Sequence, residues 1–162
     1  MDMLASFAAA VEGADVVRAL KFSQLGYAAA NTAHVLGFTL LVGAILPMDL
    51  RLIGFWRSVE QGALTRILTP IAAAGLVIAV LAGMVLFSVR AGHYLNASLF
   101  YWKMGLVAAG ASLALILHLR AGLWLERMTR RQAAFHGAAS LCCWLGALAA
   151  GRMIAYFPNF PN

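Results

Sequence analysis

The chain has 162 residues, 63% of them hydrophobic and 11% charged, with a mean hydropathy of +0.84. Soluble domains run at about 45–50% apolar and about 25% charged. A water-soluble globule, a disordered tail and an ordinary nucleic-acid-binding domain are therefore excluded, and an integral membrane protein remains. The formal net charge of +6 falls at the ends of apolar segments, where it anchors the chain to lipid and sets topology rather than attracting a polyanion.

The N-terminal stretch is not a signal peptide: Asp2, Glu12 and Asp15 interrupt any apolar core. Leu4, Phe7, Ala8 and Val11 recur at helical spacing and predict a short helix lying at the membrane interface. Four spans follow, each needing about 20 apolar residues. The first is 23–46, ended by Pro47, Asp49 and Arg51. The second is 69–89, with Pro70 in its first turn, where a missing N–H costs little. The third is 99–119, with Lys103 close enough to its start to snorkel outward. The fourth is 132–156, entered through a turn at 128–131. The expected architecture is a single all-α domain, an up-down four-helix membrane bundle.

Tyr27, Tyr94, Tyr101 and Tyr156 all fall at the end that carries both termini, joined by Trp102, while Trp56 and Trp124 fall at the other. Aromatic residues concentrate at both membrane interfaces. The 1–2 and 3–4 connections carry Arg51, Arg57, Arg66, Arg120, Arg127, Arg130 and Arg131, against Arg18, Lys21, Arg90, Lys103 and Arg152 on the opposite side. The positive-inside rule puts the two connections in the cytoplasm and both termini outside. For a bacterial protein this is the inner membrane.

Small residues stripe the spans: Gly75, Ala79 and Gly83 in the second, Ala111 and Ala114 in the third, Gly137, Gly146, Ala147, Ala150 and Gly151 in the fourth. Such stripes let membrane helices approach closely. They also leave room for a flat cofactor. Both readings stay open at this point.

Ionisable groups inside a bilayer are costly and mark function. Here they are histidines. His34 lies between Ala30 and Gly37 on one face of the first span, and His118 between Ala114 and Gly122 on the third. An imidazole flanked by small residues suits an axial ligand to haem b in a helical bundle. Aligned span starts put His34 and His118 roughly 13 Å apart in depth, too far to share one iron. Folding the last hairpin about Arg130 leaves His118 and His136 roughly 9 Å apart in depth. Met84 comes near the depth of His34 as a second ligand or as core filling. His93 and His136 sit near span ends. Arg51 or Arg120 would suit haem propionates. His34 and His118 are also the candidate metal ligands, with adjacent Cys142 and Cys143 as soft donors for copper.

Asp49 and Arg51 read as an interfacial anchor, pairing with Arg120 or Glu126 or with lipid headgroups. No phosphate loop, no HExxH and no mid-span carboxylate is visible. Cysteine spacing gives neither CxxCH nor a disulfide framework.

The run Asn31-Thr32-Ala33-His34-Val35-Leu36-Gly37, then Gly43, then Asp49-Leu50-Arg51-Leu52-Ile53-Gly54, resembles a bacterial family of small four-helix membrane proteins with a histidine in the first span and D-L-R-L-x-G just after it. More loosely, four helices with span histidines are similar to membrane b-type cytochromes. That similarity implies haem, carried by His34 and His118. The leading expectation is a b-type haem protein relaying electrons within the bilayer, to or from quinone. The rivals are an accessory subunit packed on a larger membrane complex or on its own copies, and a small-solute or metal transporter with a polar path through His34.

Overall fold

A computed structural model describes residues 2–121 and 129–156. Seven helices make up the described chain: α1 Asp2–Gly13, α2 Asp15–Phe22, α3 Gln24–Ile53, α4 Gln61–Val89, α5 Ala91–Leu95, α6 Ser98–Ala121 and α7 Arg130–Tyr156. No strand occurs among the described residues. Four of the helices, α3, α4, α6 and α7, are long and apolar enough to cross a membrane. They alternate up and down, so α1, α2, α5 and the start of α3 lie at one end with the close of α7. That end is called here the termini end. The α3–α4 and α6–α7 connections lie at the other, the loop end.

Local chemistry sets the boundaries. Ser23 breaks α2 from α3 and caps the latter, its hydroxyl accepting from the Gly26 N–H at 3.0 Å. The α3 helix does not stop at Leu46. It runs through Pro47 to Ile53 because one proline forfeits a single hydrogen bond, which a packed helix tolerates. It ends at Gly54, whose φ of +123° suits glycine alone, with Gly54 and Phe55 N–H both bonding the Leu50 carbonyl. The α4 helix likewise begins eight residues earlier than the apolar run, so Pro70 lies within it rather than in its first turn. The α7 helix begins at Arg130, behind a Thr129–Gln132 capping box.

Packing is sequential rather than closed. Helix α3 packs on α4 and on α7, and α7 packs on α6, but α4 and α6 make no close backbone approach. The bundle is therefore open on its fourth side. Its centre is Leu41, Ala44 and Ile45 of α3 with Ala72 of α4 and Trp144 of α7, the tryptophan only 2% exposed. The α3–α4 crossing is the tightest. A Cβ at Gly37 would stand 2.5 Å from the Ala79 nitrogen, and one at Gly75 would stand 2.6 Å from the Leu41 nitrogen. Elsewhere Gly110 receives the Trp144 ring and Gly137 the Asp49 carbonyl and Leu52. The small-residue stripes are thus helix contacts. Val35, Val77, Leu81, Leu115 and Leu148 point outward, as a lipid solvent allows.

The N-terminus forms two helices instead of one. Helix α1 docks on α5: Ala8 meets the fully buried Ala91 region, and Glu12 Oε1 accepts from the Gly92 N–H at 2.9 Å while its other oxygen pairs with Lys21 at 3.6 Å. Met3, Leu4 and Phe7 stay exposed, the apolar face an interfacial helix presents to lipid.

Candidate functional site

The loop-end third of the bundle holds a polar cluster. Because α3 continues past Pro47, Asp49 is carried inside the packing instead of ending the helix. It is 5% exposed and abuts α7 at Gly137. Ser140 of α7 hydrogen-bonds its carboxyl, while Oδ2 has no partner among the described residues. No ion pair of Asp49 occurs among the described residues, and its burial sets it inside the packing rather than on the surface. The side chain of Arg120 and Glu126, the expected partners of Asp49 and Arg51 respectively, lie outside the described residues. Asp49 lies in the last turns of α3.

Two imidazoles share this level. The α6–α7 register is fixed where Gly110 meets Trp144, Leu106 meets Gly146 and Lys103 meets Gly151. His118 lies eight residues beyond Gly110, and His136 eight residues before Trp144. The two are therefore level, and the 9 Å offset expected from a pivot at Arg130 disappears because the hairpin turns earlier. His118 Nδ1 donates to the Ala114 carbonyl at 2.8 Å, one turn back on its own helix, leaving Nε2 buried and unpartnered. His136 Nδ1 is also buried and unpartnered. His136 further lines an open depression of about 430 Å³ with Thr129, Arg131, Gln132 and Phe135. Three polar atoms without a partner among the described residues, on Asp49, His118 and His136, thus sit at one depth on three adjoining helices. Each such atom costs about 1–3 kcal/mol of uncompensated desolvation, which packing alone does not explain.

His34 is at the other end. Its Nδ1 donates to the Ala79 carbonyl of α4 at 2.7 Å, and its ring lies over Gly83, where a Cβ would be 3.1 Å from Cε1. This fixes the tautomer and leaves the Nε2 lone pair uncommitted. Lys103 of α6 turns inward along Gly151 rather than snorkelling out, pairs with no carboxylate among the described residues, and is close enough for its charge to act on the His34 ring. Fifteen residues separate Lys103 from His118, about 22 Å of helix rise. His34 and His118 are thus further apart than the expected 13 Å and share no metal.

The remaining candidates scatter. Met84 is 56% exposed on the lipid face of α4, away from His34. His93 is exposed in α5, edge-on to Tyr94. Arg51 is spent on the α3–α4 turn, its Nε donating to the Val59 carbonyl at 2.7 Å and its Nη2 to Arg57 at 3.4 Å. Cys142 is exposed and Cys143 half-buried, and neither is level with His118. Among the described residues no three His, Cys, Asp or Glu side chains converge on a metal position.

The D-L-R-L-x-G run acquires a physical meaning. Asp49 enters the polar cluster, Arg51 ties the turn, Leu52 packs with Leu117 and Ala133, and Gly54 supplies the left-handed backbone. Haem fits poorly at the inward glycines: the gaps at Gly37, Gly75, Gly110 and Gly151 are filled by neighbouring backbone, by Trp144 or by Lys103. His34 and His118 each keep Nε2 as a possible axial donor, with Nδ1 held by a backbone carbonyl. No family model, no curated protein and no solved structure matches the chain.

Proposed function

We propose that this is a proton-carrying membrane protein of the transporter class, working at Asp49 in the loop-end half of the bundle. The observation that carries the reading is the buried Asp49 carboxyl, with one oxygen held by Ser140 and the other unpaired. Intramembrane carboxylates beside histidines mark proton relays. The donor set suits a proton better than a metal ion. One carboxyl and one hydroxyl fall far short of the six or more oxygens a hard cation takes. His136 lines the open depression at the loop end and precedes the Gly137 that Asp49 abuts, a route by which a proton exchanges with water there. Ser140 holds the carboxyl in place. In the proposed setting, a bacterial inner membrane with both termini outside, that water is cytoplasmic.

Reconstitution in liposomes with an entrapped pH-sensitive dye and a potassium diffusion potential tests this. Wild-type protein should speed proton entry over empty vesicles. Asp49→Asn should abolish the gain, and Asp49→Glu should keep part of it. Entry equal to empty vesicles, or undiminished by Asp49→Asn, overturns the reading.

A second reading rests on His34, whose fixed tautomer and free Nε2 are what an axial haem ligand presents. Bound haem would supply one-electron transfer. A dithionite-reduced minus oxidised spectrum decides it: sharp bands lost in His34→Ala support haem, and a colourless protein made with ample haem excludes it.

A further inference from the structure

The open side of the bundle carries a second constellation at the termini end, independent of Asp49. On α4, Gly83 and Phe87 are one turn apart and share a face; on α6, Phe100 and Lys103 do the same. Phe87 and Phe100 stack across the α4–α6 seam at 5.6 Å between centroids and 16° between planes. Tyr94 of α5 closes the group, 6.2 Å from Phe87 and 5.5 Å from Phe100. This aromatic bridge links the two helices through side chains across a seam where their backbones stay apart. One turn deeper, the His34 ring lies on Gly83 and the Lys103 ammonium lies along Gly151.

The chemistry of these groups is complementary. His34 Nε2 accepts a hydrogen bond, because Nδ1 already donates to Ala79. Lys103 donates and has no carboxylate to neutralise it among the described residues. The rings offer flat apolar surface. His34, packed on Gly83 of α4, and Lys103, packed on Gly151 of α7, flank an aromatic wall on a side facing the bilayer; a few polar groups in an apolar surround are what a small-molecule site presents. We propose that this seam binds the head of a membrane-soluble ring compound bearing carbonyl or hydroxyl oxygens, of the quinone or hydroquinone class, entering sideways from the lipid. In the hydroquinone one ring hydroxyl donates to His34 Nε2 and the other accepts from Lys103; in the quinone a ring carbonyl accepts from Lys103 alone; the tail stays among the acyl chains. A simple anionic amphiphile would satisfy Lys103 but would set its charge against the His34 lone pair.

The test is native mass spectrometry of the full-length protein in mild detergent with decyl-benzoquinone and its hydroquinone. One saturable ligand per chain is expected. His34→Asn and Lys103→Met should each weaken hydroquinone binding at least about tenfold, the scale of one lost hydrogen bond to a charged or buried partner. Met84→Leu, on the lipid face beside Gly83, should leave it unchanged. Circular dichroism and thermal unfolding of each variant keep a folding defect distinct from a binding defect, and Lys103→Arg should restore binding. Non-saturable uptake, equal binding by decanoate, or full binding by the His34 and Lys103 variants would each overturn the proposal.

Discussion

Tyr94 shows how a single side chain records its surroundings. It lies outside the spans, in α5, between Phe87 and Phe100. Burial pushes its phenol above the ordinary tyrosine value of about 10, the neighbouring Tyr27 adds to the rise, and Arg90 opposes it. A raised acid is favoured in its neutral form by the fold. Its contribution to stability is therefore complete below the ordinary tyrosine range and is lost as pH climbs through the folded value. In an alkaline titration followed by phenolate absorbance, the step at the highest pH should vanish in Tyr94→Phe, and the termini end of that variant should resist alkali better than the wild type. A titration in which the last step survives would show that another tyrosine carries it. Asp49 is the instructive contrast. Its importance was not legible in the sequence, because proline followed by a charge reads as the end of a span. Only the continuation of α3 turns an expected surface anchor into a buried carboxyl. His34 was legible as special from its place mid-span, whereas its carbonyl partner, 45 positions away, was beyond any local pattern.

At the scale of the element, the spans were readable because hydropathy is a strong signal when the solvent is lipid. Their ends were less so. The early start of α7 was written in Thr129 and Gln132, a capping pair hidden by its neighbouring arginines, and the split between α1 and α2 had no comparable marker. The stripes of small residues were visible, but the sequence left open whether they receive a cofactor or a helix. Glycine positions now separate the two. Gly37 faces the α4 backbone, while Gly43 on the same helix meets nothing within 4 Å. Gly37→Ala must part α3 from α4 and should cost about 1–3 kcal/mol, the range for overpacking a well-filled contact. Gly43→Ala should be neutral or gain up to about 1 kcal/mol from helix propensity. Unfolding in graded mixtures of denaturing and mild detergent compares them directly. Equal behaviour of the two variants would mean that the α3–α4 crossing is not the tight contact described.

For the whole molecule, the order α4–α3–α7–α6 places one large side chain at the mid-depth of the contact between the two helical pairs. Trp144 projects from α7 into the cluster of Leu41, Ala44, Ile45 and Ala72 and lies over Gly110 of α6. It thereby holds the first helical pair to the second at the level that separates the His34 region from the Asp49 region. Lipid is as apolar as the bundle interior, so this contact stabilises through dispersion and shape rather than through escape from water. Removing it should then fall near the lower end of the about 3–5 kcal/mol seen for buried tryptophan in soluble cores. The indole Nε1 has no partner, so little is lost with the N–H itself. Trp144→Phe should accordingly be much milder than Trp144→Ala, whereas a hydrogen-bonding role would make both severe. Gly110→Ala, which sets a methyl 2.9 Å from the ring, should destabilise in parallel and should be partly relieved when combined with Trp144→Phe. The same detergent unfolding series measures all four variants. If Trp144→Ala unfolds where the wild type does, the two pairs are held together elsewhere and the mid-depth plug between the polar regions is not what joins them.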